Sequence, residues 1–279
     1  MRWLGPGVVA LLVALAGCSS PDAAAPSAAR TSAGLGAAVS ASASAPAVSS
    51  PAPTPEPAPP TPAAPPPVVV LDPGHNGGNG AHPDVVNAPV PDGAGGTKPC
   101  NTTGTATNAG YPEHAFTWDV ALRVRDRLTA AGVTVVLTRQ DDAGVGPCVD
   151  VRGQLSGQVG AAAFVGIHGD GADASGRGFH VITSSLAPAG ADVADRSTAL
   201  ASAVRDAMTA VEPVSTYTGR NGLDPRADLA GLNLNAVPAI YVECGNMHNA
   251  TDAALMSNTG GRDRIAAQLT AGVLAFLGR

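Results

Sequence analysis

"VVVLDPGHNGG", residues 68–78, is the stretch of this chain that says most about its fold. The four apolar residues at its start are typical of a short strand that is buried on both faces. Asp72-Pro73-Gly74 ends the apolar run, and the chain then presents a single histidine, His75, in a glycine-rich loop. A buried strand that delivers a polar side chain at its carboxyl end is typical of a parallel sheet, in which functional groups gather beyond the strand ends.

Strand and helix signals alternate from this stretch to the end of the chain. Residues 113–132 place apolar side chains at four-residue intervals from Phe116 to Leu128 and end at Gly132, which predicts a helix. The other predicted elements are strands at 133–139, 162–167, 179–183 and 239–243, and helices at about 191–210 and 262–277. This alternation predicts one α/β domain over residues 68–279, with a mostly parallel twisted sheet flanked by helices on both faces.

Residues 1–18 are typical of a bacterial export signal. Arg2 is followed by the apolar run "VVALLVALA", which is too short to span a bilayer comfortably. The next residues, "LAGC", resemble the lipobox of bacterial lipoproteins, in which the cysteine is lipidated. We therefore expect a secreted chain anchored through Cys18 to the outer face of the membrane, in the periplasm or cell wall. A signal cleaved elsewhere, with Cys18 discarded, is the alternative.

Residues 19–67 consist almost entirely of Ala, Ser, Pro and Thr and end in "PAPTPEPAPPTPAAPPP". This composition has too little bulky apolar surface to offset chain entropy and predicts a disordered linker. Its charges and those of the signal cancel, so the formal net charge of −6 belongs to the domain from Val68 onward. An acidic domain argues against nucleic acid as a partner.

Three cysteines remain after Cys18. Cys100 and Cys148 both lie in Gly/Pro-containing loops, where a disulfide substitutes for missing core, and a disulfide is expected outside the cytoplasm. Cys244 follows a predicted strand and is expected to be unpaired. Spacing alone leaves other pairings open.

Polar side chains follow three of the predicted strands. His75, His168 and Glu243 each stand at a strand end, and Glu113 opens the long helix, with Pro112 suited to the first helical position. Carboxyl ends of parallel strands meet at one edge of a sheet, so we expect these four groups to meet there. Two imidazoles and one carboxylate are a common catalytic zinc set, because three protein ligands leave one coordination position for water.

Five motifs, in this order, resemble those of the zinc-dependent N-acetylmuramoyl-L-alanine amidases of the cell wall, especially the mycobacterial-like branch. They are "VVVLDPGHNGG", "YPEHAFTWDVALRVRDRL", "VTVVLTR", "FVGIHGDG" and "VPAIYVECGNMHN", and the resemblance covers the whole predicted domain. It implies one Zn²⁺ per chain held by His75, Glu113 and His168, with Glu243 as the catalytic carboxylate. It also implies that the substrate is peptidoglycan or a muropeptide, cut between N-acetylmuramic acid and L-alanine.

The chain departs from the family pattern at two places. Many members have Ser-x-His-Ala-Asn where this chain has Gly166-Ile167-His168-Gly169-Asp170, and Gly157 stands where an Asn is usual. These changes are expected to affect loop geometry rather than metal binding. Autoinhibited relatives carry an extra helix between the second histidine and the catalytic glutamate, whereas this chain has room for one helix there. We therefore predict an open groove. We also expect the protein to be a monomer.

The segment "GLDPRADLAGLNLN", 222–235, resembles a family segment beside the groove, so Arg226 and Asp228 are candidates for substrate contact. The remaining histidines and two arginines are interpreted as supporting residues. They are His114 as a neighbour of the ligands, His82 and His248 in loops, His180 in a strand, and Arg139 and Arg152 as structural ion-pair partners.

Three classes of function compete at this point. The first is a peptidoglycan amidase, the second a zinc hydrolase of the same fold acting on another amide, and the third a noncatalytic wall-binding lipoprotein. The intact set of His75, Glu113, His168 and Glu243 argues against the third.

Overall fold

A computed structural model of the protein describes residues 65–279, so the predicted signal, Cys18 and nearly all of the predicted linker lie outside the described residues. The strands in this part of the chain are β1 (Val68–Pro73), β2 (Pro89–Pro91), β3 (Thr97–Pro99), β4 (Thr134–Leu137), β5 (Ala163–Asp170), β6 (His180–Ser184), β7 (Leu223–Arg226) and β8 (Ala239–Asn246). The helices are α1 (Pro83–Val86), α2 (Glu113–Ala130), α3 (Val149–Gln158), α4 (Ala191–Met208), α5 (Ala230–Asn233), α6 (Ala250–Ser257) and α7 (Thr259–Phe276).

Six strands form the main sheet in the order β4-β1-β5-β8-β6-β7, and β2 and β3 form a separate hairpin. The strands β4, β1, β5 and β8 run parallel to one another. β6 runs antiparallel to β8 and parallel to β7. The prediction of a mostly parallel sheet is confirmed, and the carboxyl ends of β1, β5 and β8 lie side by side.

Apolar side chains fill both faces of this sheet. The larger core joins α2, α4 and α7 to one face through residues such as Val69, Phe116, Val165 and Leu269. The smaller core lies on the opposite face and includes Val70, Phe164, Ile182, Leu232 and Tyr241. Since successive strand residues point to opposite faces, the side chains two positions beyond Val70 and Tyr241 share the smaller-core face. Asp72 and Glu243 occupy those positions.

The structure adds elements that the sequence does not predict: the β2–β3 hairpin, the strand β7 and the helices α1, α3, α5 and α6. The four-residue helix α5 lies between His168 and Glu243, where the sequence predicts a single helix. The sequence does not predict α3, because its buried positions are Arg152, Gly153 and Ser156 rather than a periodic row of apolar residues. β7 contains Pro225, which a sheet tolerates because β7 is an edge strand. The predicted strand at 239–243 also continues to Asn246. No helix within residues 65–279 is long and apolar enough to cross a membrane.

A cluster of ionisable side chains, in which Asp252 and Glu212 are buried and Arg177 is half-buried, connects α6 to the end of β8. Asp252 Oδ2 accepts hydrogen bonds from Asn246 N at 3.0 Å and Gly178 N at 2.7 Å. Arg177 Nη2 donates to Glu212 Oε1 at 2.7 Å, and its Nε lies 3.4 Å from Asp252 Oδ1. Burial and the neighbouring Asp252 raise the pKa of Glu212 to about 7, although Arg177 opposes the shift. Glu212 therefore holds a proton more tightly in the folded chain than in the unfolded one.

We predict that the fold becomes less stable as pH rises from about 4.5 to 7, because the stabilisation from the bound proton of Glu212 is lost over this range. Between these values the folded state binds more protons than the unfolded state, so the free energy of unfolding falls with pH. The contribution of Glu212 is on the order of 3 kcal/mol at most. Urea unfolding at several pH values measures it. Glu212→Gln, whose amide can donate where the protonated acid does, should decline less over this range, and identical pH profiles for the two proteins would show the prediction wrong.

Candidate metal centre and active site

Three side chains from separate segments converge at the carboxyl edge of the sheet. His75 Nε2 lies 3.0 Å from Glu113 Oε1, and His168 Nδ1 lies 3.1 Å from the same oxygen. One ligand atom from each residue lies within 4.8 Å of the others. The exposed fractions of the three side chains are 12%, 4% and 15%, in chain order. The structure thus brings together the three residues that the sequence singles out as metal ligands.

The loop after β1 brings His75 close to His168. Gly74 N donates to Ile167 O at 3.0 Å, which continues the pairing of β1 with β5 past the end of the strand. A Cβ atom on Gly74 would lie 2.3 Å from the His168 ring, so only glycine permits this approach. The two imidazole rings lie edge to face with centroids 5.1 Å apart.

Glu113 is the first residue of α2, with Pro112 at the preceding N-cap position rather than inside the helix as the sequence analysis expects. Its Oε2 accepts from Thr105 N at 2.9 Å, and its Oε1 accepts from Gly169 N at 3.1 Å. Burial alone would raise the pKa of this carboxyl, but His75 and His168 hold it well below its usual range. Conversely, Glu113 raises the pKa of His75 against the effect of burial. The donor atoms of these three side chains could hold a metal ion.

Glu243 lies beside this group on β8, in register with His168 on β5. Its Oε2 atom is shielded and has no hydrogen-bond partner among residues 65–279. Burial, Glu113 and Asp170 raise the pKa of the Glu243 carboxyl well above its usual range, while Arg226 opposes the shift. A carboxyl whose affinity for protons is raised in this way suits proton transfer.

A cavity of about 330 Å³ opens over these four side chains. Its walls come from the segment 98–105, from α3 and from the segment 226–231. Within the described residues, the segment between His168 and Glu243 contributes wall residues such as Arg226 and Leu229. None of its side chains joins His75, Glu113 and His168, called here the three-ligand group. The groove is open in this structure, and its openness in the metal-loaded protein stays a prediction.

The departure from the family pattern at Gly166 has a structural reason. A Cβ atom at this position would lie 2.1 Å from Cδ1 of Tyr241, the residue beside it on β8. The Tyr241 ring is itself 4.9 Å from the His168 ring, centroid to centroid. Gly169 similarly makes room for Met256, whose Cε would lie 2.5 Å from an added Cβ. The aromatic ring therefore occupies the space that a side chain at 166 would need, and β5 still delivers His168 to the edge.

The two candidate substrate contacts differ in position. Arg226 lines the cavity, whereas Asp228 does not. Arg226 Nη2 lies 2.6 Å from Asp228 Oδ2, and Lys98 Nζ donates to Asp228 O at 2.8 Å. Asp228 thus orients Arg226 and connects it to the β2–β3 hairpin.

The other residues that the sequence analysis interprets as supporting lie outside the ligand group. His114 Nδ1 is 2.8 Å from Asp142 Oδ2, and His248 Nε2 is 3.1 Å from Thr105 Oγ1. His180 pairs in register with Glu243 on the antiparallel strand β6 and is buried. Arg139 and Arg152 pair with Asp142 and Asp72, respectively. His82 precedes α1.

Cys100 and Cys148 lie at disulfide distance, with Cα atoms 4.5 Å apart, and Cys244 is buried and unpaired in the described part of the chain. The sequence does not predict four wall residues next to Cys100: Lys98, Asn101, Thr102 and Thr105. They belong to a Gly/Pro-rich region without periodicity. The nearby cysteine is the one signal that could have drawn attention to them.

The groove and its buried ligand group at the carboxyl edge of a parallel sheet define a hydrolase of mixed α/β fold with a candidate metal centre. More narrowly, residues 69–275 match the Amidase_3 family, N-acetylmuramoyl-L-alanine amidase, and the chain belongs to this family. It is an N-acetylmuramoyl-L-alanine amidase, a peptidoglycan hydrolase.

The similar proteins support this membership. The chain is 48% identical over 211 residues to "N-acetylmuramoyl-L-alanine amidase Rv3717" of Mycobacterium tuberculosis, covering 75% of this chain and 86% of that protein. The crystal structure of Ami1 from Mycobacterium smegmatis has 47% identity and a TM-score of 0.72, over 76% of this chain and 97% of that one. The apo form of Ami1 from Mycobacterium abscessus has 45% identity and a TM-score of 0.73, over 77% and 100%. The matched part of this chain thus corresponds to nearly the whole of these two crystallised chains.

We predict that Gly166→Ala destabilises the domain by about 1–3 kcal/mol, because the new methyl group overlaps the Tyr241 ring in a packed interior. Urea unfolding measures the loss. Gly80→Ala is the matched control, since an added Cβ there meets nothing closer than 4.0 Å. Combining Gly166→Ala with Tyr241→Ala should cost less than the sum of the two changes. Additive losses would show that the two positions do not compete for space.

Proposed function

We propose that His75, Glu113 and His168 hold one Zn²⁺ and that Glu243 is the catalytic carboxylate of the amidase. The donor set supports the proposal, since zinc takes imidazole nitrogen and carboxylate oxygen as ligands. Two ligand atoms on one tetrahedral zinc lie roughly 3.4 Å apart. The observed separations of 3.0 and 3.1 Å between Glu113 Oε1 and the two imidazole nitrogens are close to that value.

The orientation of His75 supports the same assignment. Its Nδ1 donates to Thr102 O at 3.1 Å, and this bond leaves Nε2 turned toward Glu113. Metal-ligating histidines usually hold their second ring nitrogen in this way, because the bond fixes the tautomer and the ring orientation.

When bound, zinc supplies a Lewis acid for the lactyl carbonyl and lowers the pKa of a water ligand to about 7. Glu243 accepts a proton from the attacking water and returns it to the nitrogen of the leaving L-alanine. Its neighbour Arg226 favours the ionised form that accepts the proton, whereas burial favours the protonated form that donates it. The single observation that carries the proposal is the meeting of Glu243 with the three-ligand group in one open cavity.

We also propose that Arg226 contacts the substrate and that Asp228 orients it. Arg226 presents a cation at the wall of the cavity, and its pairing with Asp228 restricts the guanidinium to one direction. A guanidinium suits carboxylate or amide oxygens, and the stem peptide offers both kinds. Since one chain carries every group in the site, the protein is proposed to act as a monomer.

For the rest of the chain we propose the arrangement that the sequence predicts. Residues 1–18 direct export and lipidation at Cys18, residues 19–67 are a disordered linker, and residues 68–279 form the catalytic domain. Cys100 and Cys148 are joined in a disulfide in the exported protein. The peptidoglycan substrate lies on the same side of the membrane as a lipid-anchored chain.

We predict that Glu243→Gln keeps zinc and lowers the rate of muramoyl-amide cleavage by about 10²- to 10⁴-fold, because the amide cannot accept the proton. Residues 65–279 are incubated with muropeptides, and mass spectrometry detects stem peptide beginning at L-alanine. Asp126→Asn, which changes an exposed carboxylate, is the control and should retain wild-type activity.

His75→Ala should lose both zinc and activity, which separates the ligand from the proton carrier. Zinc is counted by elemental analysis of each folded variant. Wild-type protein that binds zinc but leaves the muramoyl amide intact would support action on another amide or a binding role. Full activity of Glu243→Gln would refute the assignment of the catalytic carboxylate.

We predict that the full chain incorporates a fatty-acid label in its host and that Cys18→Ala abolishes the incorporation, because acylation requires the thiol. Gel fluorescence after feeding a clickable fatty acid measures it. Cys244→Ala is the matched control and should remain labelled, since Cys244 is buried in the domain. Label that persists in Cys18→Ala would contradict the lipidation site.

A further inference from the structure

His75 has a backbone conformation that side chains rarely adopt. Its φ is +61°, one of three positive values among the non-glycine residues in the described part of the chain. Such a conformation is strained and persists only where its surroundings hold it. The contacts of residues 73–75, called here the His75 turn, therefore determine how one of the proposed zinc ligands is aimed.

Arg152 of α3 holds the His75 turn from one side. Its Nη2 donates to His75 O at 3.0 Å, and its Nη1 donates to Pro73 O at 2.9 Å. The same Nη1 lies 3.0 Å from Asp72 Oδ1, so the buried charge is compensated. A planar guanidinium that bonds two carbonyls fixes the backbone between them, and an ammonium group cannot reproduce this geometry.

The remaining carbonyl oxygen of the His75 turn is also an acceptor. This is Gly74 O, which accepts from Thr117 Oγ1 of α2 at 2.8 Å. Pro73 O accepts a second hydrogen bond, from Arg139 Nε at 3.0 Å. All three carbonyls of the turn thus accept hydrogen bonds from buried side chains. The carbonyl groups of the turn are thus held by side chains, while Gly74 N continues the strand ladder by donating to Ile167 O.

The segment 100–105 holds the same site from the other side. Thr102 O accepts from His75 Nδ1 at 3.1 Å, and Thr105 N donates to Glu113 Oε2 at 2.9 Å. This segment has no helical or strand structure of its own and begins at Cys100. Its position therefore depends on contacts with other segments, and one of these is the contact of Cys100 with Cys148.

The Cys100–Cys148 pair joins these two supports. Cys148 is the N-cap residue of α3, and its carbonyl accepts from Arg152 N at 3.0 Å, so Arg152 lies one helical turn beyond the disulfide. Val149 N also donates to Cys100 O at 2.8 Å. Arg152 Nε donates to Pro147 O at 2.8 Å, which ties its side chain to the same region. One cross-link thus fixes the start of α3 and the start of the segment 100–105.

We infer that Arg152 is a positioning residue for His75, and that the Cys100–Cys148 disulfide acts through the same contacts, so that together they set the affinity of the site for zinc. This inference rests on the proposed zinc role of His75, Glu113 and His168. A purely structural role would lower the free energy of unfolding and leave the zinc affinity of the folded protein unchanged.

The test measures the zinc Kd of folded residues 65–279 by competition with a chromophoric chelator. Arg152→Lys should raise the Kd about 10- to 100-fold, the usual effect of changing a group that orients a metal ligand. The double change Cys100→Ala/Cys148→Ala should raise it about tenfold. Because both act on the His75 turn, the three changes together should raise the Kd by less than the product of the separate effects.

Two controls separate affinity from stability. Arg125→Lys repeats the arginine-to-lysine change at an exposed pair with Asp126 and should leave the Kd unchanged. Leu269→Ala removes a fully buried side chain in the core on the opposite face of the sheet, which should destabilise the fold without altering the Kd. Circular dichroism confirms that each variant is folded under the conditions of the titration.

The outcomes distinguish this inference from the proposed function. A wild-type domain that binds no zinc would refute the proposed zinc site itself. If the wild type binds zinc but the Kd values of Arg152→Lys and the cysteine variant stay within twofold of it, only the positioning role is wrong. A Kd raised equally by Leu269→Ala would assign the effect to stability and would also overturn the inference.

Discussion

The carboxylate of Glu113 lies between two imidazoles at a place from which water is almost excluded. A buried charge of this kind is tolerated only where it is paired and hydrogen-bonded. Its two oxygens meet His75, His168 and the backbone N–H groups of Thr105 and Gly169. These partners come from three segments of the chain, so the fold must hold all of them in register for the carboxylate to remain buried.

The sequence predicts much of this arrangement because the essential groups follow directly from strand ends. Three apolar runs are followed by His75, His168 and Glu243. Because the three strands are parallel neighbours, their carboxyl ends place these side chains at one edge of the sheet. The alternation of side chains along a strand then places Asp72 and Glu243 on the same face. Glu113 is the first residue of α2, so the predicted start of that helix is enough to mark it as a candidate.

The supports of the site are harder to predict, because they depend on contacts between residues far apart in sequence. Arg152 lies 77 positions from His75, whose carbonyl it bonds, and it belongs to a helix whose buried face is polar. The groove wall from 98 to 105 has no periodicity, and its Cys100 meets Cys148, the N-cap residue of α3. Local patterns carry no information about such contacts, although Cys100 and Cys148 mark where one of them occurs.

The close approach of Tyr241 to Gly166 has a consequence for the family as a whole. The two residues share one space beneath His168, on neighbouring parallel strands. Members that carry serine at the position of Gly166 must fill that space from β5 and therefore need a smaller or differently turned residue on β8. We expect these two positions to vary together in evolution, as a pair that conserves volume while neither residue is conserved by itself.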